Sequence, residues 1–219
     1  ADIVLDAGAS AIRFGGEIRS TVGQRASLME DIGAPYQVAL SPDGRTLYAS
    51  DAVSNFVYFI DLAEEELDTI DLGKSVGQVL LSPNGQRLYV ANNFDNSISV
   101  IDTTTRLLVA TINVIGTPEG MAISADGNTL YAANYSENVV AVINTATARL
   151  TSTIPVSRSP TAVAVAADGR LWVTSEALNR VSVLTVSPTT VVHQIDVGRG
   201  PADIVLSPDG SRAYVANNF

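Results

Sequence analysis

Three observations predict an all-β fold built from repeated four-stranded antiparallel sheets. A compound motif recurs five times at near-constant spacing, the runs between motifs carry the residues of strands, and no stretch shows the 3.6-residue period of an amphipathic helix. The motif is the strongest of the three. "SPDG" stands at 41–44 and 207–210, "SPNG" at 82–85, "SADG" at 124–127 and "AADG" at 166–169. Their glycines, Gly44, Gly85, Gly127, Gly169 and Gly210, lie 41, 42, 42 and 41 residues apart. An aromatic phrase follows each glycine: "YASD" 48–51, "YVAN" 89–92, "YAAN" 131–134, "WVTS" 172–175 and "YVAN" 214–217.

Each unit reads as four short strands, a to d. Strand a is "QVALS" 37–41 in the first repeat and "DIVLS" 203–207 in the last. The "PDG" phrase then makes a tight a–b turn, because Asp or Asn bonds nearby amides and glycine tolerates positive φ. Strand b is the aromatic phrase. Strand c is the apolar run "FVYFID" 56–61, "ISVID" 98–102, "VVAVIN" 139–144 or "VSVLT" 181–185, and strand d a closing run such as "LLVATINV" 107–114 or "VVHQIDV" 191–197. Valine, isoleucine, threonine and tyrosine dominate strands b to d, as strands require. Repeats start near 35, 76, 118, 160 and 201, within a single domain spanning 1–219.

Patterning within strand a predicts how the sheets pack. Val38, Val79, Met121, Val163 and Ile204 are equivalent, as are Leu40, Leu81, Ile123, Val165 and Leu206. Between them stand Ala39, Leu80, Ala122, Ala164 and Val205, so both faces are apolar. Sheets apolar on both faces are covered on both faces. Small residues suit an innermost strand where sheets crowd around an axis. The expected architecture is a β-propeller.

"YVAN" 89–92, with "SPNG" upstream and "VIDTTT" 100–105 downstream, resembles the YVTN repeat family of β-propellers. The resemblance covers residues 35–219 well and 1–34 poorly. It implies a surface-layer or cell-envelope protein, hence an extracellular, cell-surface or periplasmic location. Fold alone does not imply function.

The chain stops nine residues after Gly210, and Gly44 lies 44 residues from the start, so the gap wraps to 53 against a repeat of 41 or 42. Residues 1–34 have room for the missing strands c and d, with "DIVLD" 2–6 acceptable as strand c. This gives a five-bladed ring closed by the N-terminus, which would remove exposed sheet edges. The repetition of "ADIVL" 1–5 at 202–206 supports the alternative, a fragment of a larger propeller. Five-bladed closure is the preferred reading.

Composition excludes several classes. There is no cysteine, so no disulfide, thiolate metal site or cysteine nucleophile. Thirteen basic against 23 acidic side chains give a net charge of −10, which repels nucleic acid. No apolar run approaches the ~20 residues of a membrane helix, and "ADIVLDAGAS" lacks the features of a signal peptide.

In a propeller the b–c and d–a connections share the face with the channel mouth, and the a–b turns lie opposite. Asp43, Asp126, Asp168 and Asp209 are therefore read as caps of their own turns, and Asn92, Asn134 and Asn217 as amides that pin b–c loops. Positions that differ between repeats are more informative, because the repeated fold does not demand them. At the start of strand a these are Tyr36, Gly77, Glu119, Thr161 and Ala202, then Gln37, Gln78, Gly120, Ala162 and Asp203. The candidate ligand-binding set at the mouth is Tyr36, Gln37, Gln78, Glu119, Thr161 and Asp203, with Asn92 and Asn134 from the b–c loops. Glu119 and Asp203 are its only carboxylates. Oxygen-rich rings suit calcium or magnesium, and some lactonase and lyase propellers hold such an ion. A hydrated polar channel is nevertheless the preferred reading, with no metal and no cofactor. Lys74, Arg158 and Arg199 in d–a loops could frame the mouth. His193 sits on an outer strand and is read as non-catalytic, Trp172 as core, and "LAEEELD" 62–68 as a solvated c–d turn. No Gly-rich phosphate loop precedes a helix.

Three functions remain open. The first and preferred is a non-enzymatic binding or scaffold domain of the cell envelope with a protein or glycan partner, monomeric and not inserted in a membrane. The second is a divalent-metal lactonase or lyase using Glu119 and Asp203. The third is an accessory to a periplasmic redox system, suggested by "GTPEGMAIS" 116–124, which resembles strand-a starts in propellers of quinone-cofactor dehydrogenases.

Overall fold

The computed structural model describes residues 35–51, 53–64 and 66–219. The predicted closing segment, 1–34, lies outside them. Among the described residues there is no α-helix, and one turn of 3₁₀ helix spans Asn93–Asp95. All else regular is strand. β1 (Pro35–Leu40), β2 (Thr46–Asp51), β3 (Phe56–Asp61) and β4 (Glu66–Asp71) form an antiparallel sheet in that order. The second sheet is β5 (Val79–Leu81), β6 (Arg87–Asn92), β7 (Ser97–Asp102) and β8 (Leu107–Asn113). β9 (Pro118–Ile123), β10 (Thr129–Asn134), β11 (Val139–Asn144) and β12 (Arg149–Pro155) make the third. A fourth holds β13 (Pro160–Val165), β14 (Leu171–Ser175), β15 (Arg180–Val186) and β16 (Thr189–Asp196). β17 (Pro201–Leu206) and β18 (Ala213–Asn217) pair as a two-stranded sheet. The expected strands a to d are thus present in four repeats, and a and b in the fifth. That count fits a five-sheet ring and a piece of a larger one alike.

The described residues fall into two compact units, one ending at Val79 and the other Leu80–Phe219. In the first, Leu47, Ala49, Tyr58 and Ile60 form a buried cluster joined by Val38 and Leu67. The ring of Tyr48 meets that of its cross-strand partner Phe59 edge-on, with centroids 5.1 Å apart. Here the acidic run departs from expectation. Residues 62–64 turn, but Glu66, Leu67 and Asp68 already belong to β4, opposite Asp61, Ile60 and Phe59. Leu67 packs on the buried cluster, and its pairing opposite Ile60 extends the strand into the acidic run.

In the second unit the first strands of successive sheets stand side by side, β9 beside β13 and β13 beside β17. Alternate residues of one strand serve two different interfaces. Leu130 and Ala132 pack with Tyr89, Ala91, Ile98 and Ile112 of the second sheet. Tyr131 and Ala133 pack with Val163, Leu171 and Val173 of the fourth. A third cluster joins Ala162 and Val181 to Ile204, with Trp172 partly buried against it. Each large aliphatic side chain buried this way contributes roughly 1.5–3 kcal/mol. The inner strands crowd as the small residues there suggest. A Cβ on Gly120 would stand 2.6 Å from Cα of Ala162 and 2.7 Å from the Thr161 carbonyl oxygen. The outer strand β16 is exposed along its whole length, His193 included.

The a–b turns are built by their own side chains. In the first, Ser41 Oγ donates to Asp43 Oδ1 at 2.6 Å, the Arg45 amide donates to the same oxygen, and the Thr46 amide donates to Ser41 Oγ. Gly44 closes the turn at φ +72°. Asp126 and Asp209 repeat this pattern with Ser124 and Ser207. In the fourth repeat Ala166 has no hydroxyl, and Arg170 Nε donates to Asp168 Oδ2 at 2.6 Å instead. These hydrogen bonds hold the four aspartates below the usual carboxylate range, Asp209 at about 2.

Candidate polar site at the b–c and d–a loops

Two sets of loops bracket the site in the second unit. Each b–c loop ends on an asparagine in the left-handed region: Asn96, Asn138 and Asn179 have φ of 49°, 58° and 51°. Their carbonyl oxygens accept from the amides of Val114, Val156 and Val197, which begin the d–a loops. Asn138 Oδ1 also accepts from the Ser159 amide, and Asn179 Oδ1 from the Gly200 amide, at 2.8 and 2.9 Å. Every b–c loop from 92 to 200 is thereby tied to the d–a loop that follows it.

Strand a begins with a register shift in four sheets: between Pro35 and Gln37, opposite Ala132 to Asn134, between Pro160 and Val163, and between Pro201 and Asp203. Such irregularities re-aim side chains. They fall at the positions that differ between repeats.

Glu119, on β9, is half-buried and accepts a hydrogen bond from Asn93 Nδ2 at 3.0 Å. Burial pushes its carboxyl above the usual range. The Asn93 bond opposes that shift, and the charge of Glu176 adds to it. Glu176 in turn accepts from Tyr135 Oη at 2.9 Å. Two hydrogen-bonded pairs, Asn93–Glu119 and Tyr135–Glu176, thus span three successive sheets, and the two carboxylates repel each other. Asp203, on β17, is also raised by burial, against the bond its Oδ1 accepts from the Ile204 amide.

Thr161 braces the scaffold: its Oγ1 lies 2.8 Å from Thr174 Oγ1 and donates to the Pro201 carbonyl at 2.7 Å. Asn92 binds within its own hairpin, its Nδ2 3.0 Å from both Ser97 Oγ and Ser99 Oγ. Asn134 does not. Its counterparts to those serines are Val139 and Ala141, and its fully buried Nδ2 and Oδ1 have no hydrogen-bond partner. Asn93 Oδ1 is likewise buried without a partner.

Of the remaining predicted residues, Tyr36 and Gln37 lie on β1 and Gln78 just before β5, all in the first unit. Tyr36 is exposed, Gln37 and Gln78 half-buried. Arg158 and Arg199 are exposed in d–a loops. Phe94, next to Asn93 at the tip of its loop, is 85% exposed. Among the described residues no three His, Asp or Glu side chains stand together as a metal site. Asn93, Tyr135 and Glu176 were not singled out from sequence. All three occupy one repeat position, directly after the last residue of strand b, and that position differs from repeat to repeat.

Residues 60–167 match the family described as Lactonase, 7-bladed beta-propeller. Hydrazine synthase of Kuenenia stuttgartiensis is similar at 27% identity and a TM-score of 0.79, over 88% of this chain and 57% of that one. Virginiamycin B lyase from Staphylococcus aureus is similar at 17% identity and a TM-score of 0.72, over 84% and 63%. The fold is that of a β-propeller. A protein of unknown function from Desulfotomaculum acetoxidans matches at 16% identity and a TM-score of 0.73, over 85% and 66%. The chain therefore spans 57–66% of the length of these matched chains. No curated protein sequence matches it.

Proposed function

We propose that this propeller acts by recognition, as a binding domain of the cell envelope that takes a protein or glycan partner at its b–c loops. The observation that carries the reading is the pairing of an exposed aromatic tip with a held carboxylate: Phe94 projects beside Asn93, and Asn93 holds Glu119. Exposed aromatics next to oriented polar groups are the usual anchors of protein and sugar recognition. The YVTN likeness of "YVAN" 89–92 agrees with an envelope location. Glycan and peptide arrays probed with the wild-type chain and with Phe94→Ala test this. A partner captured by the wild type should be lost in the variant while the melting temperature stays unchanged. Equal capture by both would reject the reading.

The lactonase or lyase reading is favoured by the family match over 60–167 and by the raised carboxyl of Glu119, which suits a general acid or base. It expects opening of a lactone ring that stops in Glu119→Gln. The redox-accessory reading draws on the likeness to hydrazine synthase.

A further inference from the structure

The seam between the second and third sheets differs from the one between the third and fourth. Asn134, the last residue of β10, continues the row Leu130–Ala132 that packs on the second sheet, and Asn93, in the 3₁₀ turn just past β6, reaches from the second sheet to Glu119 of the third. Both carboxamides therefore enter one seam, and Glu119, bonded to Asn93, closes it. In the next seam Ser175 Oγ, which stands where Asn134 does, donates to the Arg158 carbonyl, and Tyr135, which stands where Asn93 does, donates to Glu176. That seam is internally satisfied. In the first, Asn93 Oδ1 and both polar atoms of Asn134 have no partner.

Buried polar groups are normally paired, so orphans in one seam point to a missing guest. The seam's chemistry selects the guest. Two orphan atoms are carbonyl acceptors and one is a donor, and the adjoining Glu119 has a single hydrogen-bond donor, Asn93, among the described residues. Glu176 adds a second negative charge nearby. The surplus is of acceptors and of negative charge, which calls for a cation rich in N–H groups. A calcium ion needs six to eight oxygens including several carboxylates, and no three acidic side chains stand together here. The apolar tip Phe94 suits the alkyl portion of an organic cation.

We propose that the seam formed by Asn93, Glu119 and Asn134 binds a primary ammonium or guanidinium group, such as a lysine, arginine or polyamine end of a ligand. This rests on the binding reading above and names the chemistry that the same loops recognise.

Isothermal titration with n-butylammonium and with ethylguanidinium chloride tests it, with n-butanol and calcium chloride as controls at matched ionic strength. One or both organic cations should bind. Glu119→Gln, which keeps the Asn93 bond but removes the charge, should weaken binding at least tenfold, and Asn134→Ala should weaken it in the same direction. Asp209→Asn, on a distant a–b turn, should bind as the wild type does. Absence of binding by both cations, equal binding of butanol, binding of calcium alone, or unchanged affinity in Glu119→Gln would each overturn the proposal. The two readings fail separately. Loss of array partners in Phe94→Ala without cation binding sinks only this proposal. Cation binding together with Glu119-dependent lactone opening sinks only the non-enzymatic reading.

Discussion

At the residue scale, two groups of carboxylates respond to pH in opposite senses. Glu119 and Asp203 are held above the usual range by burial, so the native chain takes up their protons before the unfolded chain does. Stability should therefore rise as pH falls from neutrality into the ordinary carboxylate range. Asp43, Asp126, Asp168 and Asp209 are held below it by turn hydrogen bonds. Their contribution is present above the unfolded value of about 3.9 and is lost as pH falls toward the folded value, about 2 for Asp209. Urea midpoints across pH 2–7 should pass through a maximum. In the double variant Glu119→Gln, Asp203→Asn the rise on acidification should shrink and the fall at lower pH persist. A rise equal to that of the wild type would place its origin elsewhere.

The element scale shows why the fold was legible and the site only partly so. Every repeat spells out the same turn and strands, so "SPDG" and the aromatic phrase marked a–b hairpins that the structure contains. β4 starts inside the acidic run because the packing of Leu67 on the buried cluster outweighs the charge of its neighbours. Glu119 stood out as a difference among otherwise matched positions. Its partners did not, because Asn93 lies 26 residues away and the Tyr135–Glu176 pair is separated by 41, and contacts across a seam leave no local spacing to read. Asn134 does not pin its loop as Asn92 does, for a related reason: Val139 and Ala141 stand where Asn92 meets two serines. The inner-strand crowding yields a sharp expectation. Gly120→Ala should cost ~1–3 kcal/mol, because the added carbon meets backbone atoms of β13 that cannot rotate away. The denaturant midpoint should fall with the slope unchanged, and an unshifted midpoint would show that the inner strands can spread.

For the whole molecule, a net charge of −10 sets a field that favours cations at any distance shorter than the screening length. That length falls from ~10 Å at 0.1 M salt to ~3 Å at 1 M. The association rate of a basic ligand should accordingly drop steeply with added salt while its dissociation rate changes little, as stopped-flow fluorescence would measure. A salt-independent on-rate would mean that the overall charge plays no part in capture.

The ties between b–c and d–a loops have a consequence for variation. Asn138 and Asn179 anchor the ends of their loops through backbone and side chain, at positions where the fold repeats itself. Residues 135 and 176 sit one place past strand b inside these loops, and 93 and 94 inside the loop that the Asn96 carbonyl ties to the Val114 amide. Changing them should alter what is recognised without disturbing the frame that presents it. A combinatorial library confined to these few codons would thus sample new specificities on an unaltered scaffold, much as an antibody diversifies its loops above a constant sandwich.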